Sequence, residues 1–214
     1  ANVHSDNGSS NAYDLGDTVS FPSLSDPYPG YATYQQYLKA NALVINQAIT
    51  INSSTDDFTY SSASGSLIWS KANKELTISG IVYVDGGNNL NVTQNLDYIG
   101  KGSILVTGDA QINANFLSKG NSSFPNNIIA IMTPRNVTIG TASQVNVMGL
   151  FYAENTVSAE KQTNIVGTIV SNSFNMGNQV PSIYQVPDVI NHLPTGLIGQ
   201  NAGWVMKTVS WRKI

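Results

Sequence analysis

The chain contains no cysteine among its 214 residues. This excludes disulfide bonds, thiolate metal ligands and cysteine nucleophiles. Histidine is nearly as scarce, because only His4 and His192 are present. A Ser-His-Asp triad needs a histidine that is braced by a carboxylate and touches a nucleophile. Asp188 lies four residues before His192, but no G-x-S-x-G stretch accompanies the pair. No grouping of His, Asp and Glu has transition-metal spacing, so we expect no metal and no cofactor.

Charge is scarce as well. Charged residues make up 11% of the chain, against about 25% in typical globular domains. Asn, Ser, Thr and Gly take their place, as is common on the surfaces of extracellular β proteins. The net charge of −3 leaves no basic footprint for nucleic acid. No apolar run approaches the roughly 18–20 residues of a membrane span, and no signal peptide is visible before Ala1. We therefore predict an extracellular or cell-surface location, with any targeting segment already removed.

Five short segments of the chain resemble one another, and 148–154 is the clearest of them. Aligned on Gly80, Gly102, Asn127, Gly149 and Gly167, they follow at steps of 22, 25, 22 and 18 residues. A repeat near 20 residues is typical of a solenoid in which each repeat forms one coil. The sequence thus predicts an all-β fold, a parallel β-helix of about five coils, with a second short strand in each coil. An antiparallel sandwich of similar strands is the alternative.

The alignment assigns side chains to the two faces of the predicted strands. Two places after the aligned residue stand Val82, Ile104, Ile129, Phe151 and Ile169, all large and apolar. Residues two apart on a strand share a face. This column should therefore point into the core, with Phe151 stacked between Ile129 and Ile169.

The opposite face of the same strands is also largely apolar, and strands that are apolar on both faces are usually covered on both. We predict a candidate interaction surface on this outer face. Its members are Ile81, Tyr83, Leu105, Leu150 and Tyr152. Either a segment of this chain covers it, or it is an assembly surface between subunits.

The sequence divides into three parts within one structural domain. We predict an irregular extension and a capping helix over 1–48, the β-solenoid over 49–177, and a proline-containing tail with a terminal strand over 178–214. The helix is expected within 31–48, because Tyr34, Tyr37, Leu38 and Ala42 fall on one helical stripe there. This helix is the favoured cover for the outer face, and the tail is the alternative.

Acidic residues bear on function, because polysaccharide lyases and hydrolases built on β-helices use clustered carboxylates. Asp85 and Glu154 both stand five places after the aligned residue. At about 4.8 Å per coil they would lie roughly 14 Å apart, outside the range of about 5–9.5 Å that paired glycosidase carboxylates use. We expect both to be solvated corner residues and the protein not to be an enzyme.

Sequons for N-glycosylation occur at five positions: Asn7, Asn52, Asn91, Asn121 and Asn136. In a chain so rich in Asn, Ser and Thr, chance explains most of them. They bear on function only where the source organism glycosylates.

Several longer motifs carry a family resemblance. They lie at 78–86, 102–106, 148–153 and 162–170, and in the tail at 186–188, 193–196 and 209–212. Together they resemble the extracellular part of PilX-type pilus assembly proteins, the minor pilin-like proteins of bacterial type IV pilus systems. The likeness covers about 76–214. It implies no catalytic residues. Such proteins usually begin with an apolar anchoring helix, which this sequence lacks.

These observations predict a non-enzymatic extracellular domain for structure, assembly or adhesion in a pilus-like surface filament. Its expected partners are other pilus or filament subunits, among them a separate N-terminal helical pilin, and a glycan as adhesion target. Two alternatives from other classes stay open. One is a polysaccharide-active enzyme on the same scaffold, and the other is a carbohydrate-binding module that uses Tyr83 and Tyr152.

Overall fold

The computed structural model describes residues 2–3, 13–14, 21–120, 123–141, 143–177 and 179–199. Strands β1 (Asn2–Val3) and β2 (Tyr13–Asp14) pair with each other in antiparallel fashion. The terminal strand predicted in the last residues of the chain, and the sequons at Asn7 and Asn121, lie outside the described residues.

The described α-helix is α1 (Tyr34–Ala40). It begins where the Thr33 hydroxyl accepts a hydrogen bond from the Gln36 amide at 3.1 Å, as an N-cap residue does. It is shorter than the predicted range of 31–48, because strand β3 (Leu43–Ile45) follows almost at once. Val44 and Ile45 are β-branched, and such side chains favour strands over helices. Across the described ranges, no helix is long and apolar enough to cross a membrane.

Most of the remaining described chain is strand. After β3 come β4 (Ile49–Ile51), β5 (Phe58–Ser62), β6 (Gly65–Ser70), β7 (Glu75–Val84), β8 (Leu90–Val92), β9 (Leu96–Val106), β10 (Ala110–Ile112), β11 (Phe116–Ser118), β12 (Ile128–Thr133), β13 (Val137–Ile139), β14 (Asn146–Ala159), β15 (Asn164–Asn175) and β16 (Ser182–Tyr184). A short 3-10 helix, Pro187–Asn191, follows β16.

Parallel pairing arranges these strands in three ladders. The first ladder contains the beginnings of β7 and β9, then β11, the beginnings of β14 and β15, and β16. The second contains β3, the ends of β7 and β9, β12, and the middles of β14 and β15. The third contains β4, β8, β10, β13 and the ends of β14 and β15. Each coil adds a strand to each ladder, so the predicted β-solenoid is confirmed.

The predicted register is wrong at one of the five repeats. Ile129, not Asn127, pairs with Gly102, so the steps between coils are 22, 27, 20 and 18 residues. The loop between β11 and β12 is two residues longer than the pattern indicates. A shift of two keeps every side chain on its face, so Ile129 still points inward. The inward neighbours of Phe151 are Ile131 and Ile169, rather than Ile129 and Ile169.

Glycine at the aligned position has a steric cause in the last two coils. Gly149 and Gly167 pair with each other, and their φ angles are +151° and +138°. A Cβ atom on Gly167 would lie 1.9 Å from the carbonyl oxygen of Gly149. The chain can therefore bend at this corner only where neither residue has a side chain.

One hydrophobic core lies between the three ladders. The first ladder contributes Tyr98 and Phe116, the second contributes Val82 and Phe151, and the third contributes further aliphatic side chains. The third-ladder members include Leu90, Val92, Ile112, Val137, Ile139 and Val157. The predicted inward column is thus confirmed as core, although Ile169 at the last coil is only partly buried.

Strands β5 and β6 depart from the parallel arrangement. They form an antiparallel hairpin, and β6 pairs antiparallel with β7. Phe58 and Tyr60 on this hairpin pack against the core, and Trp69 is 1% exposed. The sequence predicted strand pieces here but not their direction. The hairpin closes the stack at its first coil.

Asparagine and aspartate side chains join neighbouring coils at two corners. At the start of the first ladder, Asn95 Oδ1 accepts from the Asn115 amide at 2.9 Å, and Asn115 Oδ1 accepts from the Asn146 amide at 2.8 Å. At the start of the third ladder, Asn89 Oδ1 accepts from the Asp109 amide at 2.9 Å, and Asp109 Oδ1 accepts from Asn136. These bonds satisfy corner amides that the ladders leave unpaired.

Replacing Phe151 tests the core assignment. We expect Phe151→Ala to lower the free energy of unfolding by about 3–5 kcal/mol, because a large buried side chain leaves a cavity when it is truncated. Phe151→Leu is the matched control, since it retains most of the buried volume, and its loss should be clearly smaller. Chemical denaturation of both variants measures the difference. Equal stability of Phe151→Ala and the parent chain would contradict the inward assignment.

Candidate functional site: the covered outer face

The five side chains of the predicted interaction surface lie together on the outer face of the second ladder. All are buried: Ile81 at 3%, Tyr83 at 3%, Leu105 at 0%, Leu150 at 5% and Tyr152 at 6% exposure. The cover comes from the chain itself. A role for these side chains between subunits stays a prediction, and it would require the cover to move away.

The first part of the cover is α1 with the segment before it. Leu24, Tyr34 and Leu38 are buried against a cluster on the outer face. That cluster consists of Ile81, Tyr83, Leu105, Met132 and Tyr152. The predicted helical stripe is the side that faces the sheet, since Tyr37 and Ala42 also pack against this cluster. The helix thus lies over the coils, as the sequence favoured.

The second part of the cover is the tail, which the sequence offered only as the alternative. Val189 is buried with Ile128, Ala130 and Leu150, and Leu193 and Leu197 pack on the same cluster. The tail approaches the sheet closely at Gly196, whose φ is +81°. A Cβ atom there would lie 2.8 Å from Ile81 Cγ1. Helix and tail therefore divide the outer face between them.

Hydrogen bonds from tyrosine hydroxyls fix the cover in place. The Tyr34 hydroxyl donates to the Leu197 carbonyl at 3.1 Å and so ties helix to tail. The Tyr152 hydroxyl donates to the Pro22 carbonyl at 2.8 Å. The Tyr83 hydroxyl accepts from the Gln35 side-chain amide at 2.9 Å. Burial raises the pKa of all three phenols, so each stays a neutral hydroxyl.

The two carboxylates predicted to be solvated corners are part of this cover, so that expectation is wrong. Glu154 Oε1 accepts hydrogen bonds from the Ser23 hydroxyl at 2.5 Å and the Leu24 amide at 2.7 Å. Asp85 Oδ2 lies 2.6 Å from Lys39 Nζ at the end of α1. Each carboxylate sits where its strand ends, next to the segment that crosses the outer face. Asp85 and Glu154 therefore anchor the cover at its two sides.

Lys39 also sets the titration of Asp85. The hydrogen bond from Lys39, followed by one from the Gly86 amide, lowers the pKa of the Asp85 carboxyl below its ordinary value. The same contact raises the pKa of Lys39. Both groups are charged at neutral pH, and the pair is partly open to solvent, so its strength depends on ionic strength.

Other candidates for chemistry remain separate from this site. His192 Nε2 lies 3.3 Å from Asp188 Oδ2, within one turn of the tail. In the part of the chain that the structure describes, no three His, Cys, Asp or Glu side chains come close enough to hold a metal ion. The rings of Tyr83 and Tyr152 lie under the cover, where a sugar could not stack on them.

Sequence reasoning missed most of the residues that supply the cover. Leu24, Val189 and Leu197 carry much of it, yet none belongs to a repeat or a helical stripe. The one available signal was the apolar outer face itself, which required a cover without naming it. Met132 was missed because the register at its repeat was wrong by two residues.

Comparison with solved structures supports a pilin-like fold. The chain is similar to the competence-associated pilin ComZ from Thermus thermophilus, with a TM-score of 0.67 and 19% sequence identity. The match covers 87% of this chain and 47% of that pilin, so this chain spans about half of its length. No protein-family model matches the sequence, and no curated protein matches it. At this identity the likeness establishes a shared fold.

Replacing Glu154 tests the first anchor. We expect Glu154→Ala to speed amide hydrogen exchange across 23–38 by about ten-fold or more, because hydrogen bonds to a charged acceptor contribute about 1.5–3 kcal/mol. Glu154→Gln is the control, since it keeps an acceptor oxygen and should show a smaller effect. Unchanged exchange in Glu154→Ala would contradict the anchoring role.

Acid titration tests the second anchor. Because the folded pKa of Asp85 is lowered, its contribution to stability is complete above the unfolded value near 3.8 and is lost as the pH falls through the folded value. The side-chain ¹³C shift of Asp85 should therefore titrate with a midpoint below 3.8. Lys39→Met should raise that midpoint. A midpoint that does not respond to Lys39→Met would show that the ion pair is not formed in solution.

Proposed function

We propose that this chain is a non-enzymatic extracellular domain of a pilus-like surface filament, where it provides a stable shape for assembly or adhesion. The observation that carries this proposal is the fold that it shares with a pilin over 87% of its length. The motifs that resemble PilX-type proteins lie within the same region. We place the chain close to that type of minor pilin.

The way the outer face is covered supports a presenting role. The chain buries both faces of its second ladder with its own residues, so the coils keep their shape without a partner on that side. Corners, loops and the ends of the stack are then the surfaces left for contacts. The expected partners are other pilus or filament subunits, with a separate helical pilin among them.

The two alternatives from other classes receive less support. A carbohydrate-binding module would need Tyr83 and Tyr152 exposed, and they are 3% and 6% exposed. A polysaccharide-active enzyme would need free carboxylates, and Asp85 and Glu154 hold the cover. Both residues therefore have a structural task that explains their presence.

Immunogold electron microscopy of the source cells tests the proposal. Antibodies raised against the folded chain should label surface filaments, and filaments sheared from the cells should contain the protein. A strain that lacks the gene is the control for antibody specificity. Label restricted to the cell interior, or depolymerisation of an acidic polysaccharide by the purified chain, would contradict the proposal.

A further inference from the structure

The two ends of the coil stack differ in how they are closed. At the first coil, Ile45, Ile49 and Ile51 are almost completely buried, and the hairpin of β5 and β6 packs its aromatic rings beside them. At the last coil, formed by β15 and β16, apolar side chains are open to solvent. They include Phe174 at 38%, Met176 at 47%, Val180 at 73%, Ile183 at 47% and Tyr184 at 55% exposure.

Several of these exposed side chains continue the columns of the core. Ile183 pairs with Ile165, which is fully buried, and Phe174 pairs with Val157, which is also fully buried. Their positions are therefore inward positions of a coil that has no further coil above it. Solenoids need capped ends, because an open terminal coil exposes both its core and its backbone.

The backbone of the last coil is open as well. One edge of β15 pairs with β14 along nearly its whole length. On the other edge, β16 pairs only with Asn164, Ile165 and Val166. Among the described residues, no strand pairs with the rest of that edge, from 167 to 175. A row of free amides and carbonyls next to exposed apolar side chains is a ready site for another strand.

The tail leads to this edge. Gly199, the last described residue, faces Pro22, and it lines a cavity together with Thr168, Val170 and Leu197. Fifteen residues, 200–214, follow it in the sequence. Within them, 205–211 alternates between two sets of side chains, as a strand does. One set is Val205, Lys207, Val209 and Trp211, and the other is Met206, Thr208 and Ser210.

We propose that residues 205–211 add a strand to the free edge of β15 and thereby close the open end of the stack. The five linking residues 200–204 can span up to about 17 Å, enough to cross from the cavity to the edge. A segment of the same chain also acts at a high effective concentration, so it outcompetes a second copy for the same edge. The large apolar side chains of this segment suit the exposed columns, whereas residues 1–20 are mostly Ser, Asn, Asp and Gly.

Disulfide scanning tests the proposal directly, because the chain has no cysteine of its own. Thr168→Cys is combined in turn with a single cysteine at each position from 205 to 211. Neighbouring strands lie about 4.8 Å apart, within the Cα separation of about 4.4–6.8 Å that a disulfide needs. We expect cross-links within one chain, and only at alternate positions. Thr59→Cys on β5, paired with the same positions, is the control and should not cross-link.

Three results of the scan would overturn the proposal. They are no cross-link at any position, cross-links at consecutive positions without alternation, and cross-links that join two chains. The third result would assign the edge to a second copy of this chain.

Hydrogen exchange gives an independent readout on the parent chain. Alternate amides between 167 and 173 should be protected, and removal of 205–214 should speed their exchange by about ten-fold or more. Amides in β8, far from this edge, should be unchanged. Val209→Pro serves as a second variant, since proline cannot extend a paired strand. Equal exchange with and without the segment, or protection that grows with protein concentration, would overturn the proposal.

Discussion

Parallel pairing between successive coils is the constraint on which this structure depends. Each strand satisfies its backbone groups on the coils before and after it, so the register of one coil fixes that of the next. Coil length can then vary from 18 to 27 residues, because loops at the corners absorb the difference. A register change of two residues preserves the core, whereas a change of one would exchange core and surface. Asn115 and Asp109 strengthen this constraint at the corners.

A second requirement follows from the first. The second ladder is apolar on both faces, so the fold is complete only when segments distant in sequence cover its outer side. The segment that includes α1 comes before the coils and the tail comes after them, and Tyr34 joins the two through Leu197. The carboxylates at Asp85 and Glu154 hold the first of these segments. The cover thus links the parts of the chain that flank the solenoid, and it supports treating all of them as one structural unit.

The sequence was sufficient to predict the coils but not what packs on them. Repeated apolar columns predict parallel ladders and inward side chains such as Phe151, because stacking imposes the same requirement on every coil. The direction of β6 and the length of α1 depend on tertiary partners that no local pattern encodes. The anchoring task of Glu154 depends on Ser23 and Leu24, which are 131 and 130 residues away. The asparagine ladders left a signal, since Asn95, Asn115 and Asn146 each stand where a first-ladder strand begins, but the abundance of asparagine hid it.

The same physics explains how a pilin at 19% identity can share this fold. A column position needs a large apolar side chain of suitable shape, and Val, Ile and Phe all meet that need in this chain. Many sequences therefore satisfy the stack, and the columns say little about what the molecule contacts. Features free of the column requirement can differ between proteins with this fold. In this chain they are the long loop between β11 and β12, the polar corners and the last coil with its exposed columns. Recognition by a filament partner must therefore depend on these features rather than on the coils themselves.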